Sequence, residues 1–228
     1  MLRALINLFR SDDPLATIAS DFTRMMRVTY DMTITAGEVY FAGEALPETR
    51  KNLYKIDIEV NRLQRSVRKR LVAHLSMPGN ERDVPHCLAL MSLVKDVERL
   101  GDYAKNLSEI SELHRGPLPE DEISGELREI RRVIESSFAE SVEVFAEFDR
   151  ERALGLVQQG RDTTRRCDVL LDEIARSDYD TSTTTALVLG SRYYKRIAAH
   201  VLNVLSAVVM PLHKLDYYDE DSLSMAED

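Results

Sequence analysis

Hydrophobic residues recur every three or four positions along most of this chain, which is the pattern of amphipathic α-helices. The clearest example is the stretch 91–110, where Leu93, Val97 and Leu107 belong to one apolar stripe. Six stretches of this kind follow one another, and turn signals containing proline or glycine separate most of them. No stretch alternates between polar and apolar residues for long enough to predict a β-strand. The pattern therefore predicts an all-α protein with six long helices.

The turn signals arrange the six predicted helices in two sets of three. The clearest linker is the segment from Arg115 to Pro119, in the middle of the chain. The predicted helices cover approximately residues 14–43, 47–77, 83–113, 119–148, 151–176 and 182–215. Asp83 is predicted to cap the third of them. Long helices with short connections are typical of antiparallel bundles, so we predict two tandem three-helix bundles, at residues 14–114 and 119–215.

The two predicted bundles also resemble each other in sequence. The segment from Glu98 to Asn106 aligns with the segment from Lys195 to Asn203, and the apolar positions of the two segments stay in step. Two identical pairs coincide in this alignment, Arg99 with Arg196 and Asn106 with Asn203. Self-similarity of this kind predicts a duplicated three-helix unit.

The charge of the chain is unevenly distributed. The net charge is −9, and two thirds of it comes from six acidic residues in the tail 216–228. A short, strongly acidic tail is predicted to be disordered. The rest of the chain is nearly balanced, which argues against nucleic acid as a main partner.

The cysteines and the hydropathy pattern bear on where the protein works. Cys87 and Cys167 lie far apart, and neither a CxxC motif nor a secretory signal accompanies them. This usage predicts two free, buried thiols in a reducing cytoplasm. No apolar run reaches the roughly 18 residues that a membrane-spanning helix needs.

Two further segments leave more than one interpretation open. The segment 1–13 has Leu2, Leu5, Ile6 and Phe9 on one helical face, so it could lie in a membrane interface. Docking on its own bundle or on a partner protein is favoured, because its two arginines make only a weak basic face. The second predicted helix carries five basic residues, Arg62, Arg65, Arg68, Lys69 and Arg70. They form either a solvated face or a docking surface for an acidic partner or an anionic membrane.

One turn of the third predicted helix contains two features that are unfavourable for an isolated helix, a pair of like charges and a glycine. Glu98 and Asp102 lie one turn apart, and like charges at this spacing repel by a few tenths of a kcal/mol. A cation between them would remove that repulsion. Gly101 costs about 0.5–1 kcal/mol relative to alanine in a helix, and a close approach by a neighbouring helix would explain it. Such a turn is typical of a functional site.

A second pair of oxygen donors, Asp57 and Asn61, occurs at the same spacing on the second predicted helix. Each pair lies on the side of its helix next to the apolar stripe. These two sides converge for one handedness of the bundle and diverge for the other. Converging pairs would offer a hard or borderline cation four oxygen donors, with water completing the shell. Diverging pairs would be solvated surface groups, with Lys95 and Lys105 close by in sequence. Spacing alone favours the solvated interpretation.

An enzyme is the less favoured class. Carboxylate-bridged di-iron bundles use Glu-x-x-His pairs, and the nearest match is Asp83 with His86 at a helix start. The other four histidines are scattered and without a predicted partner, namely His74, His114, His200 and His213. No nucleophile with a base and an orienting group is recognisable. We therefore predict a protein that is not an enzyme.

The run from Lys95 to Leu107, KDVERLGDYAKNL, is similar to the signature of the PhoU family, the phosphate-uptake regulators. That signature is an acidic ExxxD motif in an E-R-[I/L]-G-D-x-A-x-N context on the third helix of each half. The resemblance covers about residues 14 to 214, because the six-helix layout and the duplication also fit. It implies a cytoplasmic, often dimeric regulator that contacts a sensor histidine kinase and a phosphate transporter component. Membrane contact would then be peripheral and through these partners.

The resemblance also implies a metal site in the first half. Glu98 and Asp102 inherit the metal-ligand role, and Asp57 and Asn61 match the family's pair on the second helix, with asparagine where aspartate is usual. The implied ion is a divalent or iron-type metal, Mg, Mn, Fe, Ni or Zn.

The second half departs from the family pattern. Lys195 and Ala199 replace the acidic pair, and Thr163 and Cys167 stand at the positions of the second-helix pair. We therefore expect at most one metal site per chain, weaker than in a complete family member. A metal-free helical interaction scaffold remains the alternative to a metal-binding regulator.

Overall fold

The computed structural model describes residues 14–216, which form six long helices without a strand among them. The helices are α1 (Pro14–Ala42), α2 (Pro47–Leu75), α3 (Val84–Leu113), α4 (Glu122–Glu147), α5 (Arg150–Ala175) and α6 (Thr181–Val209). The predicted all-α fold is thereby confirmed. None of these helices is both long and apolar enough to cross a membrane. The predicted amphipathic segment 1–13, and the acidic tail beyond residue 216, lie outside the described residues.

Each half is a bundle of three helices, and the two bundles share a core. α1, α2 and α3 pack on one another in the first half, and α4, α5 and α6 do so in the second. The third helices of the halves, α3 and α6, pack against each other along an extensive contact, and α1 also contacts α4. One cluster of buried apolar side chains runs through all six helices. Because the core is continuous, the domain boundaries assigned to the two repeats stay a prediction.

Aspartate side chains cap the helices of the second half. Asp121 accepts a hydrogen bond from the backbone N–H of Ser124, and Asp149 and Asp180 bond the first-turn N–H groups of α5 and α6 in the same way. These bonds satisfy donors that an uncapped helix end leaves unpaired. α4 therefore begins at Glu122 rather than at Pro119, where the sequence pattern placed it.

Two other helix ends differ from the prediction. Asp83 precedes α3 but makes no capping bond, because its Oδ2 atom lies 2.8 Å from Nε2 of His74 instead. α6 ends at Val209, six residues before the predicted end. Met210 precedes a proline and takes an extended backbone (φ −112°, ψ 155°), which a residue before proline favours.

A glycine contact joins the turn after α1 to the linker between the halves. Gly43 has φ +68°, and a Cβ atom built on it would lie 1.6 Å from the carbonyl oxygen of Gly116. The backbone N–H of Gly116 donates to the carbonyl oxygen of Gly43 at 3.1 Å. Only glycine combines this backbone conformation with so close an approach. The contact fixes the linker against the end of α1.

Candidate cation site

The helices α2 and α3 run antiparallel, and polar side chains connect them along their shared edge. Three pairs define the alignment: Arg50 with Glu112, Tyr54 with Glu109, and Asp57 with Lys105. These pairs place Asp57 at the level of the acidic turn of α3. The side of α2 that carries Asp57 therefore converges with the side of α3 that carries Asp102. The sequence alone left this convergence undecided.

The acidic cluster, formed by Asp57, Glu98 and Asp102, holds an ammonium group. Nζ of Lys105 lies 3.3 Å from Oδ2 of Asp57 and 3.5 Å from Oδ1 of Asp102. The exposed side-chain fractions are 12% for Asp57, 18% for Glu98, 20% for Lys105 and 26% for Asp102. The cluster is thus half-buried between α2 and α3 rather than fully solvated.

The three carboxylates share one electrostatic environment. Burial raises the pKa of Glu98, and the negative charges of Asp102 and Asp57 raise it further, against a lowering by Arg99. Burial by itself lowers the pKa of Lys105, but its pairing with Asp57 and Asp102 outweighs burial and raises that pKa. The pKa values of Glu98 and Lys105 therefore both depend on the charges of Asp57 and Asp102.

The fourth predicted ligand, Asn61, is half-buried one turn beyond Asp57 on α2. Among the contacts described for residues 14–216, none joins Asn61 to the acidic cluster. In the same range no three His, Cys, Asp or Glu side chains are arranged to hold a metal ion. The donors that the structure brings together are two carboxylates with an ammonium between them, so the described side chains do not form a set of metal ligands. The metal site at Asp57, Asn61, Glu98 and Asp102 stays a prediction.

Gly101 is not required by helix packing. A Cβ atom on Gly101 would lie 3.4 Å from Cγ2 of Thr29 and 3.7 Å from Sδ of Met32, which is ordinary van der Waals contact. The corresponding position of α6 carries Ala198, which is buried. The close helix approach that would have explained this glycine is therefore wrong, because an alanine fits.

The matching region of the second half has a different chemistry. Lys195, at the position of Glu98, pairs with Asp168 of α5, with its Nζ atom 2.5 and 2.6 Å from the two carboxylate oxygens. Thr163 and Cys167 are buried between the helices. Burial raises the pKa of the Cys167 thiol to about 12. These residues therefore form helix–helix contacts in the structure.

Sequence reasoning missed a buried polar contact between the two halves. Asp96 on α3 is fully buried, and its Oδ1 atom lies 2.7 Å from Nδ1 of His200 and 2.8 Å from Nδ2 of Asn203 on α6. Its Oδ2 atom accepts from Nζ of Lys95 at 2.9 Å. The prediction of a histidine without a partner is wrong for His200 and His74, and also for His114, whose Nε2 atom lies 3.4 Å from Oγ1 of Thr183. The signal was present, because Asp96 interrupts the apolar stripe of α3.

Burial by itself would raise the pKa of the Asp96 carboxyl. The hydrogen bonds from His200, Asn203 and Lys95 outweigh that effect and lower the pKa. A buried carboxylate with three donors is therefore held in its charged form. This contact stabilises the packing of α3, the helix that carries Glu98 and Asp102, against α6.

The fold and the site define a class of helical protein: two related three-helix bundles, with an acidic motif on the third helix of the first. Residues 22–111 match the family model described as the PhoU domain. The predicted resemblance to the PhoU family is confirmed, since residues 22–111 match the PhoU domain model and the relatives reported below, in sequence and in fold, are named PhoU proteins or PhoU homologues.

Two curated relatives are named "Phosphate-specific transport system accessory protein PhoU homolog". The protein of Synechocystis sp. is 31% identical over 101 residues, which cover 44% of this chain and 44% of the relative. The protein of Pseudomonas aeruginosa is 24% identical over 163 residues, which cover 68% of this chain and 66% of the relative. The chain thus matches less than two thirds of the length of either relative.

Two crystal structures share the fold. PhoU from Pseudomonas aeruginosa superposes with a TM-score of 0.74 at 20% identity, over 86% of this chain and 95% of that one. The phosphate transport system regulatory protein PhoU from Streptococcus pneumoniae superposes with a TM-score of 0.71 at 16% identity, over 88% and 94%. At these identities the likeness establishes the fold, the arrangement of two tandem three-helix bundles.

Proposed function

We propose that this protein regulates phosphate uptake and phosphate signalling without catalysing a reaction, by contacting a phosphate transporter component, a sensor histidine kinase, or both. The observation that carries the proposal is the PhoU domain at residues 22–111, which keeps the acidic motif of Glu98 and Asp102. The names of the two curated relatives, accessory proteins of a phosphate-specific transport system, support it.

One exposed face of α2 is suited to contact with an acidic partner protein. Tyr54, Ile58 and Val72 are exposed on this helix, and the exposed Arg65 and Lys69 continue the same stripe at helical spacing. Exposed apolar and basic side chains together are typical of a docking surface, since burial gives affinity and charge gives orientation. The basic stretch of α2 then serves partner contact rather than solvation alone.

A pull-down from phosphate-replete and phosphate-starved cells tests the proposal. The tagged protein should recover the transporter ATPase or the sensor kinase, and Arg65→Glu/Lys69→Glu should lower that recovery. A matched control, Arg132→Glu/Arg165→Glu, reverses two exposed charges in the second half and should leave recovery unchanged. Recovery of neither partner in either state contradicts the proposal. Capture by anionic vesicles instead of protein would redirect it to a membrane surface.

We also propose that the protein acts in the cytoplasm as a homodimer and meets the membrane only through its partners. Sedimentation of the purified chain measures the first property, and fractionation of cells with and without the transporter measures the second. A monomer at micromolar concentration contradicts the dimer. Membrane association that persists without the transporter and the kinase contradicts the peripheral role.

The acidic cluster is proposed to bind one divalent or iron-type cation, Mg, Mn, Fe, Ni or Zn. Asp57, Glu98 and Asp102 would supply carboxylate oxygens and Asn61 an amide oxygen. When bound, the cation would supply positive charge that links α2 to α3. Metal analysis of protein purified without chelator tests this, and the metal should be absent from Glu98→Ala/Asp102→Ala. Protein that stays metal-free at near-millimolar added metal contradicts the site.

A metal-free adaptor is the second candidate function, and the position of Lys105 favours it. Its ammonium already lies between Asp57 and Asp102, so the carboxylates have a counterion without a metal. An adaptor would capture its partners equally well with and without chelator. A metal-dependent regulator would lose partner capture when chelator is added.

A further inference from the structure

Four basic side chains on α2 have no acidic partner, and together they are called the basic patch. Arg62, Arg65, Arg68 and Lys69 make no ion pair within residues 14–216, and Nε of Arg68 is buried without a hydrogen-bond acceptor. Arg70, by contrast, pairs with a carboxylate of α1. Like charges three or four positions apart on a helix repel one another. The basic patch therefore carries positive charge that the described residues do not neutralise.

The second half of the protein shows that the fold does not require this charge. In the alignment that places Thr163 at the position of Asp57, none of the four positions of the patch carries a basic residue in the second half. Their counterparts are Asp168, Leu171, Ile174 and Ala175. The basic patch thus belongs to the first half alone, and helix packing does not explain it.

The described part of the chain ends beside Lys95, on the outer surface of α3. The backbone N–H of Asp216 donates to Oγ of Ser206 at 3.2 Å, and the Oδ2 atom of Asp216 lies 3.5 Å from Nζ of Lys95. Lys95 is 49% exposed, so this position opens to solvent. The sequence continues from here with residues 217–228, which contain no lysine or arginine and the acidic residues Asp219, Glu220, Asp221, Glu227 and Asp228.

The alignment of α2 with α3 places Lys95 level with the basic patch. Asp57 pairs with Lys105, and the two helices run in opposite directions. Lys95 lies ten residues before Lys105, so it is level with Val67, ten residues after Asp57 and in the middle of the patch. Packed helices lie about 8–10 Å apart. The twelve residues 217–228 can span about 40 Å when extended, so they can reach the patch.

We infer that residues 217–228 dock on the basic patch of the same chain and cover it against acidic partners. Opposite charge, a common level on the bundle and sufficient length support the docking. The attachment at Asp216 holds the acidic residues near the patch at an effective concentration in about the millimolar range, so ion pairs that are weak one by one suffice. The effect on partners rests on the proposed function, because an acidic partner then binds this face of α2 only when the tail withdraws.

Energy transfer from a single tryptophan to a dye on the tail tests the docking in the full-length protein. The chain has no tryptophan of its own, so Ala73→Trp, at an exposed position one turn beyond the patch, is the only donor. A dansyl-type acceptor is attached to Ser222→Cys, since Cys87 and Cys167 are buried. Transfer should fall at least about twofold when salt rises to about 1 M, where charges are screened beyond about 3 Å. The matched control donor, Val169→Trp at an exposed position of α5, should show less transfer and no dependence on salt.

Charge reversal on both sides separates docking from an effect of net charge. Arg65→Glu/Lys69→Glu and Asp219→Lys/Glu220→Lys/Asp221→Lys should each lower the transfer from the donor on α2. The two sets combined should restore it, because opposite charges again face each other. A combined variant that transfers no better than either set alone, with circular dichroism showing that all are folded, overturns the docking. Transfer that falls on addition of excess unlabelled protein also overturns it, because the tail would then bind a second copy.

Binding of a fluorescent polyglutamate peptide tests whether the tail covers the patch. Asp219→Asn/Glu220→Gln/Asp221→Asn should bind this peptide severalfold more tightly than the natural protein does, because its tail competes less. Equal affinities overturn the covering. The pull-down of the proposed function is a separate measurement with the same variant. Failure of both proteins to recover a transporter or kinase component contradicts the proposed function, whereas the docking is decided by the energy transfer and the covering by the peptide.

Discussion

The buried contact of Asp96 gives a sharp prediction about stability. Asp96→Asn keeps the size of the side chain and removes its charge, so three groups lose a charged acceptor: His200, Asn203 and Lys95. Breaking a buried ion pair from one side costs about 3–5 kcal/mol. The amide oxygen of asparagine can still accept a hydrogen bond, so we expect a loss of about 2–4 kcal/mol at neutral pH.

The matched control is the ion pair of the second half. Asp168 is 54% exposed and pairs with Lys195, so Asp168→Asn should cost no more than about 1 kcal/mol, as exposed pairs do. Urea unfolding followed by circular dichroism measures both variants. The reasoning fails if Asp96→Asn costs no more than Asp168→Asn.

The same pair of measurements has a predicted pH dependence. The pKa of Asp96 is lower in the folded protein than in the unfolded chain, so its charge stabilises the fold above the unfolded pKa, near 4. That stabilisation is lost as the pH falls through the folded pKa. The gap between the natural protein and Asp96→Asn should therefore be largest near neutral pH and should narrow below about pH 4. A gap that widens in acid would refute the assignment of Asp96 as the charged partner.

Three further predictions concern packing and thiol reactivity. Gly101→Ala should raise the free energy of unfolding by up to about 1 kcal/mol, measured in urea, because an alanine fits and favours the helix. Gly43→Ala should lower it by at least about 1 kcal/mol, because the methyl group would meet the carbonyl of Gly116 and φ is positive. Cys87 and Cys167 are buried, and burial raises the pKa of Cys167 to about 12, so the native protein should react with thiol reagents far more slowly than the urea-unfolded chain. Fast labelling of the native protein would contradict that burial.

Features repeated along one helix could be predicted from the sequence, whereas contacts between helices could not. The spacing of apolar residues along the chain predicted the six helices. Pro47 and Pro85 stand in the first turns of two of them. The pairing of Asp57 with Lys105 depends on the handedness of the bundle, which a helical period does not encode. Asp96 and His200 are 104 residues apart, so their contact follows from the packing of α3 on α6.

The helix caps show that contacts between elements also limit the prediction of local hydrogen bonds. Asp83 has a typical residue type and position for a cap, but His74 competes for its carboxylate. Asp121 has no such competitor for the bond to Ser124, although Tyr179 shares its other oxygen. Sequence patterns thus identify candidates for local bonds, and tertiary neighbours decide which bond forms.

The contacts between α3 and α6 indicate what the second copy contributes after the loss of its acidic pair. The alignment of the halves pairs Asp96 with Tyr193 and Tyr103 with His200. Across the interface His200 contacts Asp96, and in the related position Tyr103 contacts Tyr193, with ring centroids 6.1 Å apart. The same two positions of the repeat therefore meet twice across the α3–α6 interface, once as a hydrogen bond between Asp96 and His200 and once as an aromatic pair. A symmetric duplication would give two identical contacts, so the two copies have diverged at their interface as well as at the acidic motif. Since Asp96 lies two residues before Glu98, the contact from the second copy holds in place the turn of α3 that carries the acidic motif of the first.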